Sequence, residues 1–513
     1  MITIDEMAVF CKRKGFVYSN SEIYGGLTGF FDFGPLGVEL KNNIKAEWWN
    51  RHVRERQDIV GMDGSIITNP KVWVASGHVE SFTDVMLKCK KCAATARADH
   101  LVAEKLKIAT EGMSAEEIGS LIKKHGIKCL NCKGDFEDVS RFNMMFSTNV
   151  GPLKSETSTA YLRPETAQLM FADFKLIQEN ARMKLPFGIA QIGRSFRNEI
   201  SPRDFLFRCR EFEQMEIEYF VNPEKTDCPY VAEFYGSELN VCSAEMQGKN
   251  QKQKKMKVKE IVEKKIMLPW HAYWLAYEQK WFTDLGANAE KIRVRQHLHK
   301  EKSHYATDTW DLEYEFPFGW KELQGISNRG DYDLTQHMKA SGKDLSYFDE
   351  ESKKKIVPYV IAEPSQGVER AFLVFMFDAY NYDKTRENIV LKLHPKLAPI
   401  KVGIFPLVSN KEELVKKSRE IYEMLKRHYA CSFDLSGSIG RRYARSDESG
   451  TLLCCTIDFD TLQDNAVTLR HRDTTAQIRV PIKDLKEIVG RLLDGEQFEK
   501  LGKPLKHQNS TNL

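Results

Sequence analysis

An arginine, an aromatic ring and several carboxylates crowd onto one short stretch of this chain. Phe196-Arg197-Asn198-Glu199 precedes turn residues at Ser201-Pro202-Arg203-Asp204, and Glu211 to Phe220 then alternates with a period of two. The pattern predicts strand, loop, strand. On the second strand Phe212, Gln214, Glu216, Glu218 and Phe220 share one face, and Glu211, Glu213, Met215, Ile217 and Tyr219 the other. Two readings are open. One is an exposed hairpin laced with cross-strand ion pairs. The other is a nucleotide platform, with a guanidinium for phosphate, a ring for a base, and a carboxylate for a base amine or a ribose.

Four cysteines are suited to metal. Cys89-Lys90-Lys91-Cys92 and Cys129-Leu130-Asn131-Cys132 each offer two thiolates from one tight turn, and two such turns complete a tetrahedral Zn²⁺ shell. Lys90, Lys91, Lys128 and Lys133 favour the thiolate form by their charge. Four unrelated cysteines are the plainer alternative. A redox pair fits less well, because neither CxxC sits in a thioredoxin-like βαβ pattern. Two charged residues also stand where a partner is needed. Gln366-Gly367-Val368-Glu369-Arg370 opens an apolar helix, Ala371 to Tyr380, and an arginine in a first turn opposes the helix dipole and calls for an anion. Pro164 and Glu165 sit where the first turn of a helix reaching Gln178 would begin, and Glu165 could simply answer that dipole.

These groups need a scaffold. Val38 to Gln57 reads as a helix, with Leu40, Ile44 and Trp48 four residues apart, and Asp58 to Thr68 as a strand stopped at Asn69-Pro70. A helix from Ser114 to His125 separates the cysteine pairs. Gly248 to Lys265 is dense in lysine and glutamine and reads as an exposed insertion, either a solvated face or a contact for RNA phosphates. Asp311 to Phe316 and Gly319 to Ile326 read as strands followed by Arg329, and Val357 to Ser365 as a buried strand. Prolines between His394 and Pro399 mark a boundary. Beyond it strands and helices alternate, which predicts a small α/β domain with a mixed sheet, and Gly502 to Leu513 reads as a frayed polar tail.

At 513 residues the chain exceeds one core. With 42% hydrophobic and 29% charged residues it has the composition of a soluble globular protein, and a net charge of +4 excludes neither a nucleic-acid partner nor a small-molecule enzyme. No apolar run reaches the roughly 18 residues of a membrane span, and Met1 to Lys14 lacks a signal-peptide core. A cytoplasmic protein without a membrane partner is expected, its cysteines being thiols and metal ligands.

In this order, the helix and strand ending at Pro70, the Phe196–Glu199 hairpin, and Gly367-Val368-Glu369-Arg370 resemble the three signature motifs of class II aminoacyl-tRNA synthetases. Longer strings resemble the homodimeric glycyl-tRNA synthetases: Gly25-Gly26 to Gly37, Leu162-Arg163-Pro164-Glu165-Thr166-Ala167-Gln168, Arg210-Glu211-Phe212-Glu213-Gln214-Met215-Glu216, Glu363-Pro364-Ser365, and Gly440-Arg441-Arg442-Tyr443-Ala444-Arg445. The likeness runs over nearly the whole chain.

The resemblance implies an α+β fold: a class II antiparallel sheet flanked by helices, a zinc-knob insertion, and a C-terminal α/β anticodon-binding domain. The implied layout is catalytic core at 1–85, zinc-binding insertion at 86–140, catalytic core again at 141–395 with a lysine-rich insertion near 222–300, anticodon-binding domain at 396–500, and a flexible tail at 501–513. It implies a homodimer that uses ATP and Mg²⁺ to activate glycine as glycyl-adenylate and then charges tRNA(Gly). Arg197 is carried over as the α-phosphate ligand, Glu199 as the contact to the adenine amine, Phe212 as the stacking face, and Arg208 and Arg370 as γ-phosphate ligands. Glu322 is implied near ATP and Mg²⁺. Catalysis then falls to Arg197, Glu199 and Arg370, by positioning and charge neutralisation rather than by a side-chain nucleophile. Glu165, Glu216, Glu363 and Ser365 are implied for glycine, with Arg329 for its carboxylate. A substrate without a side chain offers an ammonium, a carboxylate and two hydrogens, so carboxylates must hold it and a rigid wall must exclude larger amino acids. Two residues depart from the family strings: Leu169 replaces a small residue, and His471 an acidic one. A non-catalytic nucleic-acid-binding homologue would have lost Arg197, Arg208 and Arg370. A class II enzyme for histidine, proline or threonine would lack the Arg163-Pro164-Glu165 and Glu363-Pro364-Ser365 strings.

Overall fold

The computed structural model describes residues 2–108, 110, 113–152, 158–302 and 305–505. Its centre is a nine-stranded sheet of β1 (Ile59–Met62), β2 (Phe187–Phe196), β3 (Glu211–Val221), β4 (Glu238–Cys242), β5 (Lys254–Lys257), β6 (Ile292–Gln296), β7 (Asp308–Phe316), β8 (Gly319–Asn328) and β9 (Tyr359–Gly367). The spatial order is β5-β4-β6-β7-β8-β9-β3-β2-β1. Only β1 against β2 and β4 against β6 run parallel. The hairpin expected from Phe196 to Phe220 is the β2–β3 pair, in register from Phe187↔Phe220 to Phe196↔Glu211.

One face of this sheet is core. Met215, Ile217 and Tyr219 of β3 pack there among Trp48 of α1 (Pro35–Trp49), Trp270 and Trp274 of α2 (Pro269–Asp284), and Phe372 and Phe375 of α3 (Val368–Ala379). Burying side chains of this size stabilises the fold by about 1.5–3 kcal/mol each. Glu213 sits on the same face and meets Lys41 of α1 at 3.0 Å, while Lys41 also bonds Glu369 at 2.6 Å. The acidic residue is thereby neutralised where the motif helix crosses the strand. The other face stays open along Phe212, Gln214 and Glu216.

Three expectations need correction. The strand predicted from Asp58 to Thr68 is two short strands, β1 and Ile67–Thr68, the latter pairing with Thr159–Leu162 in a separate small sheet. The second ends at Thr68, before Asn69-Pro70 as expected, and Pro70 then opens the helix Pro70–Ala75, capped by Asn69. The helix predicted to run from Pro164 to Gln178 starts at Ala167 and breaks at Asp173. Nor is Gly248 to Lys265 an appendage. Lys254–Lys257 is the edge strand of the main sheet, Val258 and Ile261 are buried, and the wider 222–300 stretch contributes six elements to the core.

The cysteine pairs lie in a knob built on Thr83–Lys88, flanked by Thr95–Arg97 and Ser140–Asn143. Leu87, Leu101, Val102, Ile118 and Ile122 form its own small core. Ser114 caps the helix Ala115–Lys124, as its sequence predicts. The C-terminal sheet is mixed: Cys431–Phe433, Val402–Pro406 and Leu453–Ile457 are parallel, and Ala466–His471, Gln477–Pro481 and Lys503–Pro504 follow antiparallel. Within the stretch expected to fray, Lys503–Pro504 is therefore an edge strand; residues 506–513 lie outside the described residues.

Candidate active site

A cavity of about 530 Å³ opens on the polar face of β3, and Glu165, Arg197, Glu199, Arg208, Phe212, Glu216, Glu322, Glu363, Ser365 and Arg370 all line it. Ten residues named from sequence are thus brought together from five separate segments. The register explains part of this. Glu216 of β3 stands opposite Ser365 of β9, and Ser365 opposite Gly325 of β8, so one transverse row crosses three strands.

Arg197 is held without an acidic partner among the described residues. Its Nε donates to the carbonyl of Pro164 at 3.0 Å, and its guanidinium lies over the rings of Phe82 (5.5 Å) and Phe212 (5.3 Å). The terminal nitrogens are left to the cavity. The Arg163–Thr166 turn that provides this support is itself pinned. Arg163 donates from Nε to the carbonyl of Arg194 (2.7 Å) and from Nη1 to that of Gly64 (2.7 Å), and Gln191 donates to the carbonyl of Thr166 (2.9 Å). Gly193 makes room for it: a Cβ there would lie 2.0 Å from Nη2 of Arg163.

Glu199 and Arg208, expected at opposite ends of ATP, meet each other instead. Arg208 donates to the Glu199 carboxylate from Nε (2.7 Å) and Nη2 (2.6 Å). Arg370 lies over the Phe207 ring at 4.6 Å and donates to the Glu322 carbonyl at 3.0 Å, with the Glu322 carboxylate 3.1 Å away. The anion that an arginine in the first turn of α3 requires is therefore supplied by Glu322.

The carboxylate end is deeper. Glu165 is not in a helical first turn, and its neighbours are side chains: His78 Nε2 at 3.2 Å and Gln168 Nε2, which donates at 3.0 Å. Burial alone would raise its pKa, but the His78 ring and Arg329 reverse this and hold the carboxyl below the usual range. Glu216 accepts from the Thr166 hydroxyl, yet burial and the charge of Glu165 raise its pKa. Burial pushes Glu363 up to about 8 even with Arg329 beside it. Arg329 does not line the cavity. Asp333 takes its Nε (2.7 Å) and Nη2 (2.8 Å), and Glu363 its Nη1 (2.6 Å), so it buttresses Glu363 rather than reaching for a substrate carboxylate.

Sequence reasoning missed several neighbours. His78 carries no local signal, because its partner Glu165 is far along the chain. Asp311, whose pKa burial pushes up to about 6, has its Oδ2 2.7 Å from Nε2 of His297, beside Glu322. Asp84 and Arg97 of the knob pair at 2.7 Å and bring the knob against Arg208, 3.9 Å from Asp84. Glu218 shares the Glu216 face of β3, and nothing in the local sequence sets it apart from its neighbours there. Of the two departures, Leu169 packs against Gly64 behind this turn, and His471 lies against Phe498 in the C-terminal sheet, far from the cavity.

The four cysteines converge as well. Their sulfurs all lie within 4.8 Å of one another, with Cys89–Cys132 at 3.4 Å and Cys92–Cys129 at 3.7 Å, spacings suited to the corners of a tetrahedron around one Zn²⁺. The backbone N–H of Lys91 points to the Cys89 sulfur at 3.4 Å, which favours a thiolate.

Residues 152–378 match the family described as tRNA synthetase class II core domain (G, H, P, S and T), and residues 401–492 match the anticodon binding domain. The chain is 44% identical to a glycine–tRNA ligase of Geobacillus thermodenitrificans, over 95% of this chain and 97% of that one. It is 43% identical to a glycine–tRNA ligase of Thermobifida fusca, over 96% and 98%.

Proposed function

Because the chain belongs to the glycine–tRNA ligases among the class II aminoacyl-tRNA synthetases, we propose that this cavity joins glycine to ATP with Arg197 at the bond being made. The protein is an aminoacyl-tRNA ligase that activates glycine as glycyl-adenylate and passes glycine to the 3′ end of tRNA(Gly). The observation that carries the site assignment is the pairing of one free guanidinium, lying over two rings, with a set of buried carboxylates across the same cavity. Glu165, Glu216 and Glu363 take the ammonium of glycine, Ser365 supports them, and the glycine carboxylate faces Arg197. A carboxylate oxygen then attacks the α-phosphorus, the bond to the β-phosphate oxygen breaks, and pyrophosphate leaves. Arg197 offsets the charge that develops on the α-phosphoryl oxygens. Phe212 stacks the base, and Glu199 receives its amine once Arg208 turns from Glu199 to the outer phosphates alongside Arg370. Glu322 and Asp311 would hold the Mg²⁺ that accompanies ATP, which would supply charge neutralisation on the phosphates as a hard cation with oxygen ligands.

The test is ATP–pyrophosphate exchange measured with each of the standard amino acids. Glycine alone is expected to support it, and equal exchange with alanine would remove the specificity claim.

Structural zinc in the knob and a homodimer complete the proposal. The thiolate set fits zinc, and the metal would tie the two CxxC turns together. Metal analysis of purified protein is expected to give about one zinc per chain, reduced by Cys129→Ser together with a lower Tm. Protein that is fully folded with no zinc refutes the knob. The large apolar side chains Ile23, Tyr24 and Leu27 are exposed at the start of the segment Gly25 to Gly37, which supports an isologous interface there.

A further inference from the structure

Glu218 lies just behind the cavity's carboxylate end rather than on its lining, two residues beyond Glu216 on the same face of β3. It is completely buried, and neither carboxylate oxygen has a hydrogen-bond partner among the described residues. Glu216, Glu218 and Glu363 each bring an oxygen within 4.8 Å of the others. A buried carboxylate normally collects donors. Here the groups facing it are Glu216 on its own strand, Glu363 from β9, and Arg329 and Asp333 from the segment after β8; the residue paired to it on β2 is the apolar Ile189. Arg329, the sole guanidinium in this set, is already committed to Asp333 and Glu363.

Carboxylates this close in a poorly solvated space cannot all be ionised. The one without a donor is the least able to hold charge, so it keeps the proton. Burial and the neighbouring Glu363 push its pKa well above the carboxylate range, in agreement with the geometry.

We propose that Glu218 is a positioning residue of the amino-acid pocket that stays protonated while the pocket is empty and releases its proton to solvent as the glycine ammonium enters. The incoming positive charge does what no protein donor does at this position. The empty pocket thereby avoids an uncompensated charge, and the filled one gains an extra anion under the ammonium. The inference rests on the assignment of this end of the cavity to glycine.

The experiment is the pH dependence of the glycine KM in ATP–pyrophosphate exchange, for the wild type and for Glu218→Gln, which keeps the shape and cannot titrate. Proton release on binding makes the wild-type KM fall as pH rises from about 6 to about 8, by up to about tenfold per pH unit. In Glu218→Gln the fall is shallower, keeping only what Glu363 and Glu216 contribute, so at about pH 8 its KM is about tenfold or more above wild type, while kcat changes less than about threefold. The thermal melt gives a second readout. A carboxylate whose folded pKa is raised removes stability as pH climbs above its unfolded value, so the variant's Tm should exceed wild type increasingly from about pH 5 to about 8. Equal pH profiles for KM in the two proteins overturn the proposal, as does a pH-independent difference in Tm. Wild-type exchange that does not saturate with glycine fails the pocket assignment itself, and this proposal with it.

Discussion

Arg197→Ala is expected to lower glycine-dependent ATP–pyrophosphate exchange by about 10³-fold in kcat/KM, because it removes a donor aimed at charge that develops only in the transition state. Arg197→Lys should recover little, remaining about 10²-fold below wild type. A point charge on a flexible stem can neither bridge two phosphoryl oxygens nor offer a planar face to an aromatic ring. The side chain is already held in place. One carbonyl, at Pro164, fixes the Nε, and the guanidinium already lies over the Phe82 and Phe212 rings with no carboxylate to give up before phosphate binds. Arg208 and Arg370 differ in this respect, since each now rests on a carboxylate, Glu199 or Glu322. Truncating either leaves that carboxylate unpaired, so its effect mixes ATP binding with local repulsion. Arg197 has no such partner to orphan, and its variants should melt like the wild type. Wild-type-like exchange by Arg197→Ala would remove it from the phosphate site.

Much of this site was legible because strand periodicity is rigid. Knowing that Phe212, Gln214 and Glu216 alternate is enough to put them on one face, and β3 obeys that pattern throughout its length. Arg370 was legible for a different reason: a cation in the first turn of an apolar helix needs an anion, and one is there. What escaped was lateral. His78 reaches Glu165 from a short helix that nothing in its local sequence marks as part of a site, and Arg329 is turned away by Asp333, one helical turn further on, whose competing claim the spacing alone does not weigh. The break of β1 from Ile67–Thr68 escaped likewise, since an apolar run does not say that its two halves join different sheets. The lysine-rich stretch misled for the opposite reason. Its exposed lysines dominate the composition, yet alternate positions such as Met256, and the buried Val258 and Ile261 beyond it, anchor it to the main sheet.

Glu216→Gln is expected to raise the glycine KM by about 10²-fold, since removing one partner from a buried, hydrogen-bonded charge pair costs several kcal/mol. The amide keeps the size of the side chain and can still accept the Thr166 hydroxyl, so what is deleted is charge. Stability should move the other way. The pKa of Glu216 is raised in the folded protein, chiefly by burial and then by Glu165, so its ionisation costs stability as pH rises above the unfolded value. The variant's Tm should therefore equal or exceed wild type at about pH 8, and the two should converge at about pH 4, where the carboxyl is protonated in both states. Alanine should gain nothing in the variant, because size exclusion does not depend on this charge. A glycine KM within about threefold of wild type would show that the ammonium is held elsewhere. A large KM effect accompanied by a fall in Tm would make Glu216 a structural strut of β3. Loss of affinity with stability kept or gained is what separates a carboxylate placed for a ligand from one placed for the fold.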